Sequence, residues 1–358
     1  MNARKPQPAA IEEVRKTMEK PIVDFVTSAG SQLESVTKLP GDASTRKYYR
    51  VGLKGGAGSL IVMKMEPFAD LGLGLPFLVV RSHLERCGVR VPKVVDADPA
   101  RGLVLLEDLG DMTLLRLLQD CSSAEDERHY YERVIDSLVQ LQVRAGPAAT
   151  AQRIEAFDLA FDLEKLMWEV QFTLEHFYEK HLGRTIAAAH RRVIEDGFGE
   201  ICGRLAAEPR VLAHRDFHSR NVMVLPGRGE GARPEYVMID FQDARMGPAQ
   251  YDLASLLKDS YYQLEEAQIE RLIDYYIAKS EALSGQVIDR GAFREVFDLM
   301  AVQRNFKAIG SFASFMNRRG DPSYLKYIGN TFENIRRTLL RHPRYSGLRE
   351  VLFHYYYF

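Results

Sequence analysis

HRDFHSRN, residues 214–221, runs without a break into the apolar stretch VMVL, residues 222–225. Asp216 and Asn221 therefore stand five residues apart on the lip of a strand. A second apolar run, EYVMIDF (235–241), follows the polar, Gly-rich segment PGRGEGARP (226–234), and the three pieces read as a hairpin. If the two runs pair, Asn221 at the start of one strand and Asp240 at the end of the other come side by side. Hard Mg²⁺ takes oxygen from one or two protein side chains and leaves its other positions to water and phosphate, which suits an Asn and Asp pair. Asp216 would sit just outside, placed to orient a hydroxyl and accept its proton during in-line attack on a phosphoryl group.

The rest of the chain has room for such a site. At 358 residues it suits two lobes better than one core, and 46% hydrophobic with 27% charged residues is an ordinary globular composition. Forty-eight Lys and Arg against 49 Asp and Glu leave a net charge of −1, so no global field favours nucleic acid or an anionic membrane; an anionic ligand must be held locally. Cys87, Cys121 and Cys202 are odd in number and widely spaced, indicating neither a disulfide framework nor a zinc ribbon. The opening MNARKPQPAAIEEVRKTMEK carries no apolar h-region, and no stretch approaches the ~18 uninterrupted apolar residues of a membrane span. These features suggest a monomer in a reducing cytoplasm, with neither a membrane nor a nucleic-acid partner.

Periodicity separates the lobes near residue 110. AIEEVRKTMEKPIVDFVTSAG predicts an amphipathic helix ending near Gly30. SVTKLP, KYYRVGL and SLIVMKM read as antiparallel strands, with KGGAG as a hairpin turn between the last two. Phe77, Val80, Leu84 and Cys87 mark a helix against that sheet, and KVVDAD and GLVLLEDLG add two strands. Residues 1–109 are thus expected to form a small antiparallel N-lobe, and 110–358 a mostly helical C-lobe, an α+β arrangement. In the C-lobe, Tyr131, Val134, Ile135, Leu138 and Leu141 form one helical stripe, and the 222–241 hairpin is the single expected β interruption. Trp168 with Phe161, Leu163, Phe172 and Phe177 reads as core, with a sugar-stacking platform as the alternative, and the terminal FHYYYF as packing.

H-R-D-x-x-x-x-N followed by strand, turn, strand and I-D-F resembles the protein-kinase-like superfamily. The spellings DFHSRN and IDFQDA resemble its aminoglycoside phosphotransferase and choline kinase branch. The resemblance implies the two-lobed fold, ATP as donor and Mg²⁺ as cofactor. It implies Asp216 as catalytic base, Asn221 and Asp240 as metal ligands, and His214, His218 and Asp252 as supports of the catalytic loop. In the N-lobe it implies Lys64 on the nucleotide phosphates, a phosphate-covering loop from Gly41 through Ser44 and Thr45 to Arg46, and a hinge from Glu107 to Leu109 on the adenine edge. The helix over Phe77 to Arg86 departs from the pattern: the position expected to hold a Glu for Lys64 falls near Val79 or Val80, and Glu85 comes nearly two turns late.

GDASTRKYYRV, LLEDLGD, HRDFHSRN, IDFQDARMGPAQYDLASLLKDSY and QRNFKAIGSF together resemble the anomeric sugar kinases of bacterial cell-wall recycling, which act on N-acetylmuramate and N-acetylglucosamine. An amino-sugar acceptor follows from that resemblance. Gln303 and Arg304, four and three residues before Lys307, could share with it a helix face toward the acceptor or a solvated face, and Asp243 beside Arg245 either touches substrate or forms a surface ion pair. Other readings stand beside this one. An aminoglycoside, choline-like or other small-alcohol kinase shares the same motifs; a cationic acceptor would call for a more acidic C-lobe. A nucleotide-binding pseudokinase would explain the absent helix Glu. Between Asp240 and Asp252 there is no room for a protein kinase's activation segment. His214 and His218 at i, i+4 could bind zinc on a helix, but no other His or Cys at metal spacing supports it.

Overall fold

A computed structural model describes residues 20–40, 46–68, 75–150, 153–227 and 233–357. The described residues fall into two compact units: those of Met1–Val79 with Pro92–Gly110, and those of Val80–Val91 with Asp111–Phe358.

The first unit is a five-stranded antiparallel sheet of β1 (Leu33–Lys38), β2 (Lys47–Leu53), β3 (Ser59–Lys64), β4 (Val94–Asp98) and β5 (Leu103–Glu107), ordered β1-β2-β3-β5-β4. All five strands match the sequence expectation. The register aligns Tyr49 with Val62 and Val62 with Leu105, so these three side chains form a row across β2, β3 and β5. Against that face, with Val51 and Leu103, pack Ile22, Phe25 and Val26 of helix α1, whose described part is 20–28. The KGGAG turn forms, with Gly55, Gly56 and Gly58 at left-handed φ and Leu53 N–H closing on Gly58 O at 3.0 Å. Gly102 is needed for a different reason: at φ +64 a Cβ would come within 2.2 Å of Met65 O. The expectation for helix α2 (Pro76–Arg86) needs amending, because its residues from Val80 onward group with the second unit. There His83 Nε2 meets Ala145 O at 2.8 Å and its ring stands edge-on to Phe157.

The second unit comprises α3 (Leu114–Gln119), α4 (Ala124–Arg144), α5 (Leu163–Thr173), α6 (Ala188–Ala206), α7 (Gln250–Leu257), α8 (Glu266–Ser284), α9 (Arg290–Arg319), α10 (Ile328–Leu340) and α11 (Ser346–Tyr357). The stripe expected on α4 is buried from Tyr131 to Leu141, and Ser123 caps the helix. α5 continues into a π-helical stretch, Leu174–His181. The 30-residue α9 is the axis, packed by α5, α6, α7 and α10 and buried on most sides between Val296 and Phe306. Polar residues in that stretch must find partners, since a buried unpaired polar group costs on the order of 1–3 kcal/mol. Gly310 lets α9 approach α5: a Cβ there would lie 2.4 Å from Thr173 Oγ1 and 2.7 Å from its Cα. Thr173 Oγ1 also donates to Phe306 O at 3.0 Å.

Two hairpin-like pairs, not one, interrupt the helices. β7 (Val222–Leu225) pairs with β8 (Glu235–Met238) in the expected register, Val222 opposite Met238. β6 (Arg210–Ala213) pairs with β9 (Arg245–Pro248), a sheet the sequence did not announce. Each strand is four residues long and β9 holds both a Gly and a Pro, which removes the usual strand signal.

Candidate active site

β6 delivers the chain into the 214–221 loop, and β9 delivers it into α7, so the β6–β9 pairing sets Asp252 beneath the loop. Asp252 is fully buried, and its two carboxylate oxygens accept His214 N–H at 2.7 Å and Arg215 N–H at 3.0 Å. Arg215 has φ +82, a conformation that costs a non-glycine residue about 1–3 kcal/mol unless its surroundings enforce it. The Asp252 clamp does so, and thereby aims the next residue, Asp216. His214 Nε2 meets Ile239 O at 2.9 Å, tying the loop to the far end of β8. The loop is not helical, so His214 and His218 do not stand one turn apart on a helix as the zinc alternative requires.

A second clamp had no counterpart in the sequence reading. Asp259, buried, accepts Ser219 N–H at 3.0 Å, Ser219 Oγ–H at 2.5 Å and Tyr261 N–H at 2.9 Å. Asp252 lies on α7 and Asp259 just past its end, beyond the Lys258 cap, so no helical spacing announced the second clamp. His218 lies between the clamps, edge-on to Tyr261, and its partly buried ring is held down to about 3 by burial, with Arg304 adding to the effect and Asp216 opposing it. It is neutral at physiological pH and supports the loop through Asn221 N–H, which donates to His218 O at 2.9 Å.

Asn221 and Asp240 meet as the hairpin requires. Ile239 N–H bonds Asn221 O at 3.0 Å, extending the ladder one step past β7 and β8. Asn221 Nδ2 donates to Asp216 O at 2.9 Å and lies 3.5 Å from Asp240 Oδ2. That orientation leaves the amide oxygen for a ligand. Asp240 is exposed, at φ +65, and Gln242 Nε2 donates to its Oδ1 at 2.7 Å. Gln242, unremarked in the sequence, thus orients the carboxylate from two residues away. An amide oxygen and a solvent-facing carboxylate side by side fit Mg²⁺, which keeps several positions for water and phosphate.

The expected acceptor residues divide. Lys307 Nζ lies 3.5 Å and Arg304 Nη2 3.9 Å from Asp216 Oδ1, so α9 aims two cations at the Asp216 carboxylate. Gln303 does not join them. It is fully buried on the α5 side, where Nε2 donates to Glu169 Oε2 at 3.1 Å and lies 3.3 Å from Leu166 O. Asp243 pairs with Arg215 Nη1 at 3.5 Å and not with Arg245, which lies over the Phe161 ring, and more than half of the Asp243 side chain is in solvent. Burial raises the pKa of Asp216, but Lys307, Arg215 and Arg304 outweigh it and hold the carboxyl well below the usual carboxylate range. The Asp216 carboxyl is therefore ionised at physiological pH.

A depressed carboxyl stabilises the fold above its unfolded pKa, and that contribution is lost as pH falls through the folded one. Replacing Lys307 with Met removes the foremost cation, so the acidic limb of the kcat/KM profile is expected at higher pH in the variant than in the wild type. Superimposable limbs in the two pH profiles would show that Lys307 does not set the base.

In the first unit, Lys64 ends β3 between Lys47 and Leu103, as expected from SLIVMKM. Val80, at the position where the helix Glu was sought, is buried and apolar, and Glu85 pairs with Arg81 at 2.7 Å. Glu107 ends β5 with its N–H on Lys93 O, and Leu109 is buried. Asp108 fixes this segment by accepting Arg50 Nε at 2.6 Å, Ser59 Oγ at 2.6 Å and Gly110 N–H at 2.9 Å. Arg46 immediately precedes β2. Gly41, Ser44 and Thr45 lie outside the described residues.

Comparison with known proteins bears on the same residues. The phosphotransferase enzyme family matches residues 35–291, a span that holds Lys64, the 214–221 loop and the 222–241 hairpin. The chain belongs to this family. It is a phosphotransferase, and its fold is the two-lobed, protein-kinase-like one. The chain is 31% identical over 339 residues, 92% of its length and 91% of the relative's, to an N-acetylmuramate/N-acetylglucosamine kinase of Pseudomonas aeruginosa. It is 30% identical over 318 residues to a protein of the same name from Neisseria meningitidis, covering 88% of this chain and 89% of that one. Among solved structures, a choline kinase from Streptococcus pneumoniae aligns with a TM-score of 0.59 at 13% identity, over 90% of this chain and 99% of that one. An ADP-bound aminoglycoside phosphotransferase aligns at 0.55 and 14% identity, over 90% and 96%. No described helix is long and apolar enough to cross a membrane, and all three cysteines are free.

Proposed function

We propose that this phosphotransferase moves the γ-phosphoryl group of ATP to the anomeric hydroxyl of an N-acetylated amino sugar, N-acetylmuramate or N-acetylglucosamine. The observation that carries the phosphoryl-transfer chemistry is the junction made by Asn221, whose amide donates to Asp216 O at 2.9 Å and reaches Asp240 at 3.5 Å. It joins a proton acceptor to a pair of oxygen donors at one hairpin mouth. Asp216 Oδ takes the acceptor's proton as the hydroxyl oxygen bonds to phosphorus; the bond to the β–γ bridging oxygen breaks, and ADP leaves with that electron pair. Asn221 Oδ1 and the Asp240 carboxylate are the residues for Mg²⁺, which neutralises phosphate charge when bound. In the first unit, Lys64 and Arg46, with Gly41, Ser44 and Thr45, are proposed for the nucleotide phosphates, and the backbone of Glu107 to Leu109 for the adenine edge.

The choice of hydroxyl rests on the strength of the base. Asp216 is held a weak base by Lys307 and its neighbours. A hydroxyl on the anomeric carbon is more acidic than an ordinary alcohol because of the adjacent ring oxygen, so weak assistance suffices. The sugar itself rests on the similarity to the two kinases of that name. Phosphorus NMR of the protein with ATP, Mg²⁺ and each sugar is expected to show a sugar 1-phosphate coupled to the anomeric proton. Turnover of an amino alcohol or aminoglycoside with no sugar phosphate would retain the kinase and remove this acceptor.

A further inference from the structure

Helix α5 turns an aromatic and cationic surface outward, and its Lys165 lies near enough to Arg215, Arg245 and Lys307 to feel their charge. Trp168, expected in the core, is 54% exposed, and Leu163 is 47% exposed. The buried stripe of α5 is instead Leu166, Glu169, Val170 and Thr173, at i, i+3, i+4 and i+7, and Trp168 lies off it. Its indole stacks on Phe172 at 5.3 Å, and Lys165 Nζ lies 3.9 Å from the indole centroid. Lys165 reaches one carboxylate, Glu169, at 3.7 Å, and that carboxylate already accepts from Gln303.

The electrostatic surroundings of Lys165 are unbalanced. Burial lowers the pKa of its ammonium; Glu169 opposes this, while Arg215, Arg245 and Lys307 add to it. Lys307 is committed to Asp216 and Arg215 to Asp243. Arg245 lies over the Phe161 ring, and its Nε is buried with no hydrogen-bond partner. Glu169 is thus shared between Lys165 and Arg245, and the cations of this cluster outnumber the carboxylates that face them. An acid entering beside Lys165 would relieve that excess, and a sugar presents both a ring face that an indole can cover and, in the muramate, a carboxylate. Arg304 is a poorer candidate for that acid, because it is 6% exposed and directed at Asp216.

We propose that Lys165 and Trp168 form the specificity subsite of the acceptor, the ammonium pairing with the carboxylate of an acidic amino sugar and the indole covering the ring of acidic and neutral sugars alike. This rests on the sugar reading above. In steady-state kinetics with full-length protein, Lys165→Met is expected to raise KM for N-acetylmuramate about 10- to 100-fold more than for N-acetylglucosamine, the scale of one charge-assisted hydrogen bond. Lys165→Arg is expected to restore most of the discrimination, and added salt to erode it in the wild type but not in Lys165→Met. Trp168→Ala is expected to raise KM for both sugars. Because Lys165→Met leaves Glu169 without its cation, the double variant Lys165→Met with Glu169→Gln separates loss of selectivity from loss of fold. Equal changes for both sugars in the single and double variants would overturn the subsite while leaving the kinase reading intact. A wild type that phosphorylates neither sugar would remove both.

Discussion

Asp216→Asn is expected to lower kcat by about 10² to 10⁴, the range for a lost general base, while nucleotide affinity changes little. The substitution is nearly isosteric, and the clamps that shape the loop, Asp252 on His214 and Arg215 and Asp259 on Ser219, act on backbone and on Ser219, not on the Asp216 side chain. The loop should therefore keep its form. What disappears is the acceptor for the hydroxyl proton and the negative partner of Lys307 and Arg304. Single-turnover measurement with saturating ATP isolates the chemical step. Wild-type turnover in the variant, with an unchanged melting temperature, would take Asp216 out of the mechanism and reduce its role to neutralising α9.

The second large effect concerns the metal. Asp240→Asn is expected to abolish the Mg²⁺ dependence of nucleotide binding and to lower kcat/KM by about 10³ or more, the scale of losing a principal electrostatic stabiliser of phosphoryl transfer. Asn is the informative replacement because, like Asp, it tolerates the left-handed backbone that Asp240 adopts at φ +65. The loss then reports charge and not backbone strain. Gln242 would still donate to the remaining side-chain oxygen, so the orientation seen in the structure is retained. Calorimetric titration of nucleotide with and without Mg²⁺ reads the effect directly. Equal Mg²⁺ enhancement in wild type and variant would place the cation elsewhere. Activity that a zinc chelator removes and zinc restores would contradict the same assignment from the other direction.

Local pattern and turn chemistry in the chain were enough for the first unit's five strands, the Gly-rich turn at residues 54–58, the buried stripe of α4 and the β7–β8 hairpin with Asn221 beside Asp240. Each is written within a few residues, as a period of 2 or 3.6, a turn, or two apolar runs flanking a polar loop. Pairings between distant segments were not legible in this way. The β6–β9 sheet joins four-residue strands more than thirty positions apart, and only that sheet puts Asp252 under His214. Lys307 reaches Asp216 from 91 residues away. On α9, one position of difference sends Gln303 into α5 and Arg304 toward the base, and no property of the sequence between them says which face α5 covers. Trp168 shows the same limit in reverse: its composition reads as core, but α5 already buries the stripe through Leu166, Val170 and Thr173, and the indole is left in solvent. Residue type and spacing determined what chemistry the chain can perform. Which cations stand around that chemistry was decided by helix packing, because burial of a face depends on the partner that covers it and not on the face alone.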